Sequence, residues 1–120
     1  MTAAQAVTIF DRDFENDIPH EDKIRWLWQL DGMIYNDIIS THDDAEEKQT
    51  NDDNRELLAP SPYDDMYIWY LRGRAHMRVG EIDLYNNAFA AYSVTYDEFA
   101  KFYNRTHMPK SETIRNYTGW

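Results

Sequence analysis

The spacing of aromatic residues between positions 85 and 103 restricts the fold more than any other feature. Tyr85, Phe89, Tyr92, Tyr96, Phe99 and Tyr103 follow one another at intervals of 4, 3, 4, 3 and 4. On a helix these positions share one face; on a strand they would scatter over both. The spacing predicts a single helix over 82–106 whose aromatic seam must meet another element. That element lies immediately upstream, in LLAPSPYDDMYIWYLRGRAHMRVG, residues 57–80. There Tyr63, Tyr67, Tyr70, Arg74 and Met77 share a face, and Gly80 is placed to end the helix as a left-handed cap. Ser61-Pro62-Tyr63-Asp64 reads as its entry, with Ser61 as N-cap, Pro62 at the first helical position and Asp64 at the third. The expected helix is 62–79. Two helices joined by so short a turn form an antiparallel αα-hairpin. Trp69 falls off the tyrosine face and is the candidate for an exposed contact.

Two more helices are expected upstream. HEDKIRWLWQLDGMIYNDII predicts a helix over 20–40, with Pro19 at its start and Glu21 and Asp22 in its first turn. Ile24, Leu27, Ile34 and Ile38 form one apolar stripe and Trp26, Leu30 and Met33 a second. So wide an apolar face marks the central helix of a bundle. Ala3, Val7, Phe10 and Phe14 predict a short first helix over 3–14, with Thr2 as its cap. The fold class is therefore all-α: a small helical bundle of three long helices plus a short N-terminal helix. Its core is expected to hold Ile24, Leu27, Ile34, Ile38, Tyr67, Tyr70, Tyr85, Phe89, Tyr92, Tyr96 and Phe99. One domain is expected over 1–109, followed by a polar tail, 110–120, whose Tyr117 and Trp120 are candidate anchors on a neighbouring molecule. Large side chains exceed what a three-helix core of this length needs, and the surplus implies apolar patches covered by another subunit.

Between the second helix and the hairpin runs THDDAEEKQTNDDNRE, residues 41–56. Seven carboxylates, Asp43, Asp44, Glu46, Glu47, Asp52, Asp53 and Glu56, stand against Lys48 and Arg55. The segment lacks apolar periodicity and reads as a long acidic loop that orders only against a partner. Asp43, Asp44, Glu46 and Glu47 are its candidate contact residues. The whole chain carries a net charge of −10, which opposes binding to phosphate backbones and anionic membranes. Neither sequence-specific nucleic-acid binding nor membrane association is expected. The N-terminus has no basic stretch followed by a long apolar one, and no apolar run approaches the ~20 residues of a membrane span. With no cysteine there are no disulfide or thiolate sites.

Catalytic patterns are not apparent. The serines lie in no nucleophile elbow, and His20, His42, His76 and His107 do not pair at the spacing that ligates zinc from a helix. Asp11, Asp13, Glu15 and Asp17 alternate as at the start of a calcium loop. The sixth position, however, is Asn16 in place of glycine and the twelfth is Asp22 in place of glutamate. No catalytic residue, cofactor or metal is expected. Asp31-Gly32 is the remaining oddity. Asp31 falls on the apolar stripe of the second helix, so it needs donors, with a tyrosine, Arg72 or Arg74 as candidates. Gly32 costs about 1 kcal/mol in a helix interior and suggests close approach of another helix.

Three segments taken together, DKIRWLWQLDGMIYNDII, LLAPSPYDDMYIWYLRGRAHMRVGEIDLYNNAFAAY and DEFAKFYNRTHMPK, resemble small proteins of the head-morphogenesis block of tailed bacteriophages and prophages. The carrying elements are the tryptophan-containing helix with Asp31-Gly32-Met33-Ile34-Tyr35, the Leu57-Leu58-x-Pro60-x-Pro62-Tyr63 entry, the Gly80-Glu81 turn with Tyr85-Asn86-Asn87, and the Asn104-Arg105-x-His107-x-Pro109 ending. The pattern is similar to that of head–tail connector (adaptor, head-completion) proteins and covers about residues 1–109. The acidic loop and the tail depart from it most. The resemblance implies a structural virion assembly protein without an active site. It would dock on the portal protein, meet tail-side connector proteins and form a homo-oligomeric ring in the DNA exit channel. Its place would be the head–tail interface of the virion, and the host cytoplasm before assembly. The alternative is a non-enzymatic helical interaction or regulatory module of phage origin that binds a host protein, its acidity mimicking nucleic acid.

Overall fold

The computed structural model describes residues 1–48 and 50–108. The chain is mostly helical: α1 (Ala3–Asp13), α2 (His20–Asp37), a 3-10 turn (Ile39–Thr41), α3 (Asp65–Arg78) and α4 (Ile82–Thr106). Among the described residues there is no strand, only an isolated antiparallel bridge between Thr2 and Glu56. The tail, with Tyr117 and Trp120, lies outside the described residues.

Local chemistry explains most of the helix ends. Thr2 caps α1 by accepting from the Gln5 amide, and the Gln5 side chain accepts from the Thr2 amide, closing a capping box. At the other end of α3, Gly80 takes φ 77°, its amide reaches Met77 O at 3.1 Å, and the Glu81 amide reaches His76 O at 3.0 Å. Those two bonds make a Schellman motif, which satisfies the last carbonyls of α3 and turns the chain directly into α4. The entry of α3 departs from expectation. The helix starts at Asp65, three residues later than the sequence suggests, and Ser61 does not cap it. Residues 60–67 form successive turns closed by Tyr63 N to Pro60 O, Met66 N to Tyr63 O and Tyr67 N to Asp64 O. The preceding backbone is held elsewhere, on Asp31 and Tyr67, which fixes where the helix can begin.

The layout also differs from a bundle around α2. The central helix is α3, which touches each of the other three. Its Phe14- and Trp69-stacked Arg72 faces α1, its Tyr67 and Arg74 reach Asp31 and Trp26 of α2, and its Tyr70 and Gly73 meet Phe89 of α4. α3 is therefore apolar on several sides, whereas α4 packs chiefly on α3 alone. The predicted core is right for Ile24, Leu27, Ile34, Ile38, Tyr67, Tyr70, Tyr92 and Phe99, all buried. Tyr85, Phe89 and Tyr96 are only half-buried, because α4 has a neighbour on one side only. The seam does face α3. Tyr70, Phe89 and Tyr92 meet edge to face at centroid distances of 5.3 to 5.7 Å, and Tyr63 of the entry turns covers Phe99 and Phe102.

The glycine at the close helix crossing is Gly73, not Gly32. A Cβ on Gly73 would lie 2.6 Å from two ring carbons of Phe89, so only a glycine lets the ring of α4 lie on the backbone of α3. No helix approaches Gly32; its nearest neighbour is the Lys48 ammonium, 3.7 Å from where a Cβ would stand.

Candidate functional site

The acidic segment is fastened to the helices rather than left to order against a partner. Its far end lies along the start of α1, where Ala4 N bonds Asp53 O and Leu57 N bonds Met1 O. Its middle is held by the Tyr35 hydroxyl, which donates to Glu46 O at 2.7 Å. Its near end is clasped to the end of α4. There Asp43 N bonds Met108 O, and the His107 ring stacks on Tyr103 at 3.7 Å with its Nε2 3.6 Å from Asp44. His42, buried at the head of the segment, meets Tyr103 edge to face and places Nδ1 2.7 Å from Ile38 O. The sequence shows none of this, because most of the ties are backbone groups that leave no side-chain pattern.

The strap converges on Asp31. This carboxylate is 2% exposed. It accepts from the Tyr67 hydroxyl at 2.7 Å and from the Leu58 amide at 3.3 Å to each oxygen, and the Arg55 guanidinium lies 3.3 Å away. The Tyr67 hydroxyl in turn accepts from the Ala59 amide at 2.9 Å. One side chain thus joins α2, the 55–59 backbone and α3, which fits the expected role of structural acceptor with a tyrosine partner. Arg72 and Arg74, the other expected donors, instead stack on Phe14 and Trp69 and on Trp26 and Tyr70. Arg55 does the work because the strap folds back over Trp28, on which its guanidinium stacks at 4.8 Å. Burial pushes the Asp31 carboxyl above the usual carboxylate range, against the opposing pull of Tyr67, Leu58 and Arg55. Burial and the adjoining carboxylate push the Tyr67 hydroxyl well up.

Beside this knot, the strap, α2 and the end of α4 enclose a cleft of about 250 Å³. Gly32 forms part of its wall, and Asp44, Glu46 and Glu47 line its acidic side. Asp43, Asp44, Glu46 and Glu47 are all exposed. Trp69 is half-buried and lines a separate groove between α1 and α3. The structure therefore brings Asp31, Gly32, Asp44, Glu46 and Glu47 to one cleft and sets Trp69 apart from them.

The calcium-like run is put to other use. The Lys23 ammonium, itself buried, bonds Asp11 at 2.6 Å and Asn16 at 3.2 Å, while Arg12 pairs with Asp13 at 2.9 Å. Partial burial pushes the Asp11 carboxyl up, but the Lys23 ammonium and the Asn16 amide outweigh it and bring the carboxyl below the usual range. Such a group stabilises the fold above its unfolded pKa, near 3.9, and loses that contribution as pH falls through the lower folded value. Acid unfolding followed by circular dichroism should therefore show a shallower loss of stability below about pH 4 in Asp11→Asn than in the wild type. The difference should stay below about 1 kcal/mol, because Asp11 is nearly half exposed. Parallel acid limbs in the two proteins would contradict this assignment.

The described residues contain no group of three or more metal-ligating side chains and no helix long and apolar enough to cross a membrane. Among the described residues, four of the seven exposed large apolar side chains lie at the hairpin tip, Met77 (49% exposed), Val79 (68%), Ile82 (58%) and Leu84 (46%), the others being Met33, Val94 and Met108. No protein-family model, curated protein or solved structure matches the chain.

Proposed function

We propose that this chain is a structural virion assembly protein, a head–tail connector that docks on a portal protein and forms a ring in the DNA exit channel. The observation that carries the reading is the hairpin tip. Four large apolar side chains within eight residues stand exposed around the Gly80 turn, and the helix that follows has a neighbour on one side only. Exposed apolar clusters of this kind mark interaction surfaces. The second support is the sequence pattern's resemblance to connector proteins, and the Gly80-Glu81 element of that pattern forms this tip. The third is charge: a surface of net charge −10 can surround DNA without gripping it.

The strap adds a reason for the buried Asp31. A ring subunit must present its faces at fixed angles, and the Asp31 knot locks α2, α3 and the strap into one body. A small helical bundle fastened in this way is a spacer between larger parts. The acidic strap itself favours the second reading, a module that binds a basic surface of a host protein. Co-elution of the purified chain with the portal encoded in the same genome supports the connector. Failure to bind an intact portal, together with retention of a host protein through Asp44, Glu46 and Glu47, supports the module.

A further inference from the structure

The hairpin tip has a chemical complement on a different stretch of the same molecule. A groove of about 340 Å³ lies between α1 and α3, walled by Ile9, Phe14, Ile68 and Trp69. All four side chains are half-buried, so apolar surface remains open to solvent there. At its rim stands Arg72, whose guanidinium lies over the rings of Phe14 and Trp69 at 5.1 and 5.8 Å. No carboxylate lies within ion-pair distance of it among the described residues, whereas the neighbouring Arg12 is engaged by Asp13. Asp13 and Asp65 also border the groove, so its charge balances overall and Arg72 is the cation it presents.

The tip carries the opposite arrangement. Ile82 and Leu84 are exposed, and Asp83 lies between them, exposed as well. Glu81, though exposed, is paired with His76 at 3.2 Å, which leaves Asp83 as the tip's other outward carboxylate. The groove runs along α3 from Asp65 to Arg72, whereas the tip follows its last residue, Arg78.

We propose that the hairpin tip of one molecule seats in the α1–α3 groove of a second copy, with Ile82 and Leu84 against Trp69 and Phe14 and Asp83 paired with Arg72. The two surfaces differ, so the contact is heterologous: repeated, it closes into a ring or runs on as a filament. The groove supplies an aromatic floor and a stacked guanidinium held ready for a carboxylate, features typical of the residues that dominate interfaces. The contact stands on these surfaces alone and holds whether or not a portal is a partner. Two copies of charge −10 repel, so the association is weak and concentration-dependent.

Sedimentation velocity of the full chain over a concentration series tests it. The wild type should shift from monomer toward larger species as concentration rises. Asp83→Arg, a change at an exposed position, should weaken that association about tenfold, and Trp69→Ala should do likewise. Arg72→Asp should also weaken it, and Arg72→Asp combined with Asp83→Arg should recover most of the loss. Since Arg72 also packs on α1, melting of each variant identifies any that is misfolded, and Asp83→Arg alone then decides. A wild type that stays monomeric at its highest soluble concentration overturns the proposal. So does an Asp83→Arg variant that associates as the wild type does. Portal binding measured on the same variants separates the two readings. Intact portal binding without self-association overturns only this contact, and self-association without portal binding overturns only the connector.

Discussion

Asp31→Ala should lower the stability of the protein by about 3 kcal/mol, the range in which removing one partner of a buried charged network falls. The carboxylate is the acceptor for the Tyr67 hydroxyl and the Leu58 amide and the counter-charge for Arg55. Truncation leaves all three donors without the acceptor they share. It also detaches the strap from α2 at the one point where a side chain links them to α3. For a chain of this size the melting temperature should fall by roughly 10 °C. Tyr67→Phe should cost less, because Asp31 keeps Leu58 and Arg55, but it strands the Ala59 amide that its hydroxyl accepts. Melting Asp31→Asn, Tyr67→Phe and the double variant completes a cycle, and non-additivity of about 1 kcal/mol or more is expected. An unchanged melting temperature in Asp31→Ala would remove the knot from the account.

Gly73→Ala should also destabilise, by about 1 to 2 kcal/mol, although alanine is the better helix former. Helix propensity alone would favour alanine by about 1 kcal/mol. Against it, the new methyl would meet the Phe89 ring at 2.6 Å. That ring is boxed in by Tyr70, Tyr85 and Tyr92 at centroid distances of 4.6 to 5.7 Å, so it cannot swing aside cheaply. Overpacking of this kind costs about 1 to 3 kcal/mol, and it should outweigh the propensity gain. The sign should reverse when the obstacle is removed: in a Phe89→Ala background, Gly73→Ala should stabilise. Denaturant melts of the four proteins read both numbers. Stabilisation by Gly73→Ala in the wild-type background would mean that α3 and α4 are not held at this distance.

The two glycines show what a sequence does and does not disclose. Gly32 draws notice because it breaks an otherwise strong helical pattern, yet no helix approaches it. Gly73 sits between Arg72 and Arg74 with no pattern to mark it, and only the position of Phe89 on another helix shows its role. Periodicity reports which face of a helix is apolar, so the α3–α4 hairpin, the left-handed Gly80 and the limits of α4 are legible in the sequence. It does not report how many neighbours share that face. For this reason the sequence points to α2 as the centre in place of α3, and puts Tyr85, Phe89 and Tyr96 deeper than they lie. Asp31 was recognisable as a buried acceptor from its place on an apolar stripe. Arg55 was not recognisable as its counter-charge, because within a run of acids it reads only as a charge offset. The strap is the extreme case: several of its attachments are backbone amides and carbonyls, which every residue possesses and no composition reveals.

The proposed placement of the chain as a ring between portal and tail is open to a direct test by electron microscopy. Purified protein mixed with the intact portal encoded in the same genome, viewed by electron microscopy, should show portal particles extended at one end by an added ring with an open lumen. The same mixture made with Asp31→Ala at a temperature where that variant is unfolded should show bare portals. Bare portals in the presence of folded wild-type protein would contradict the claim.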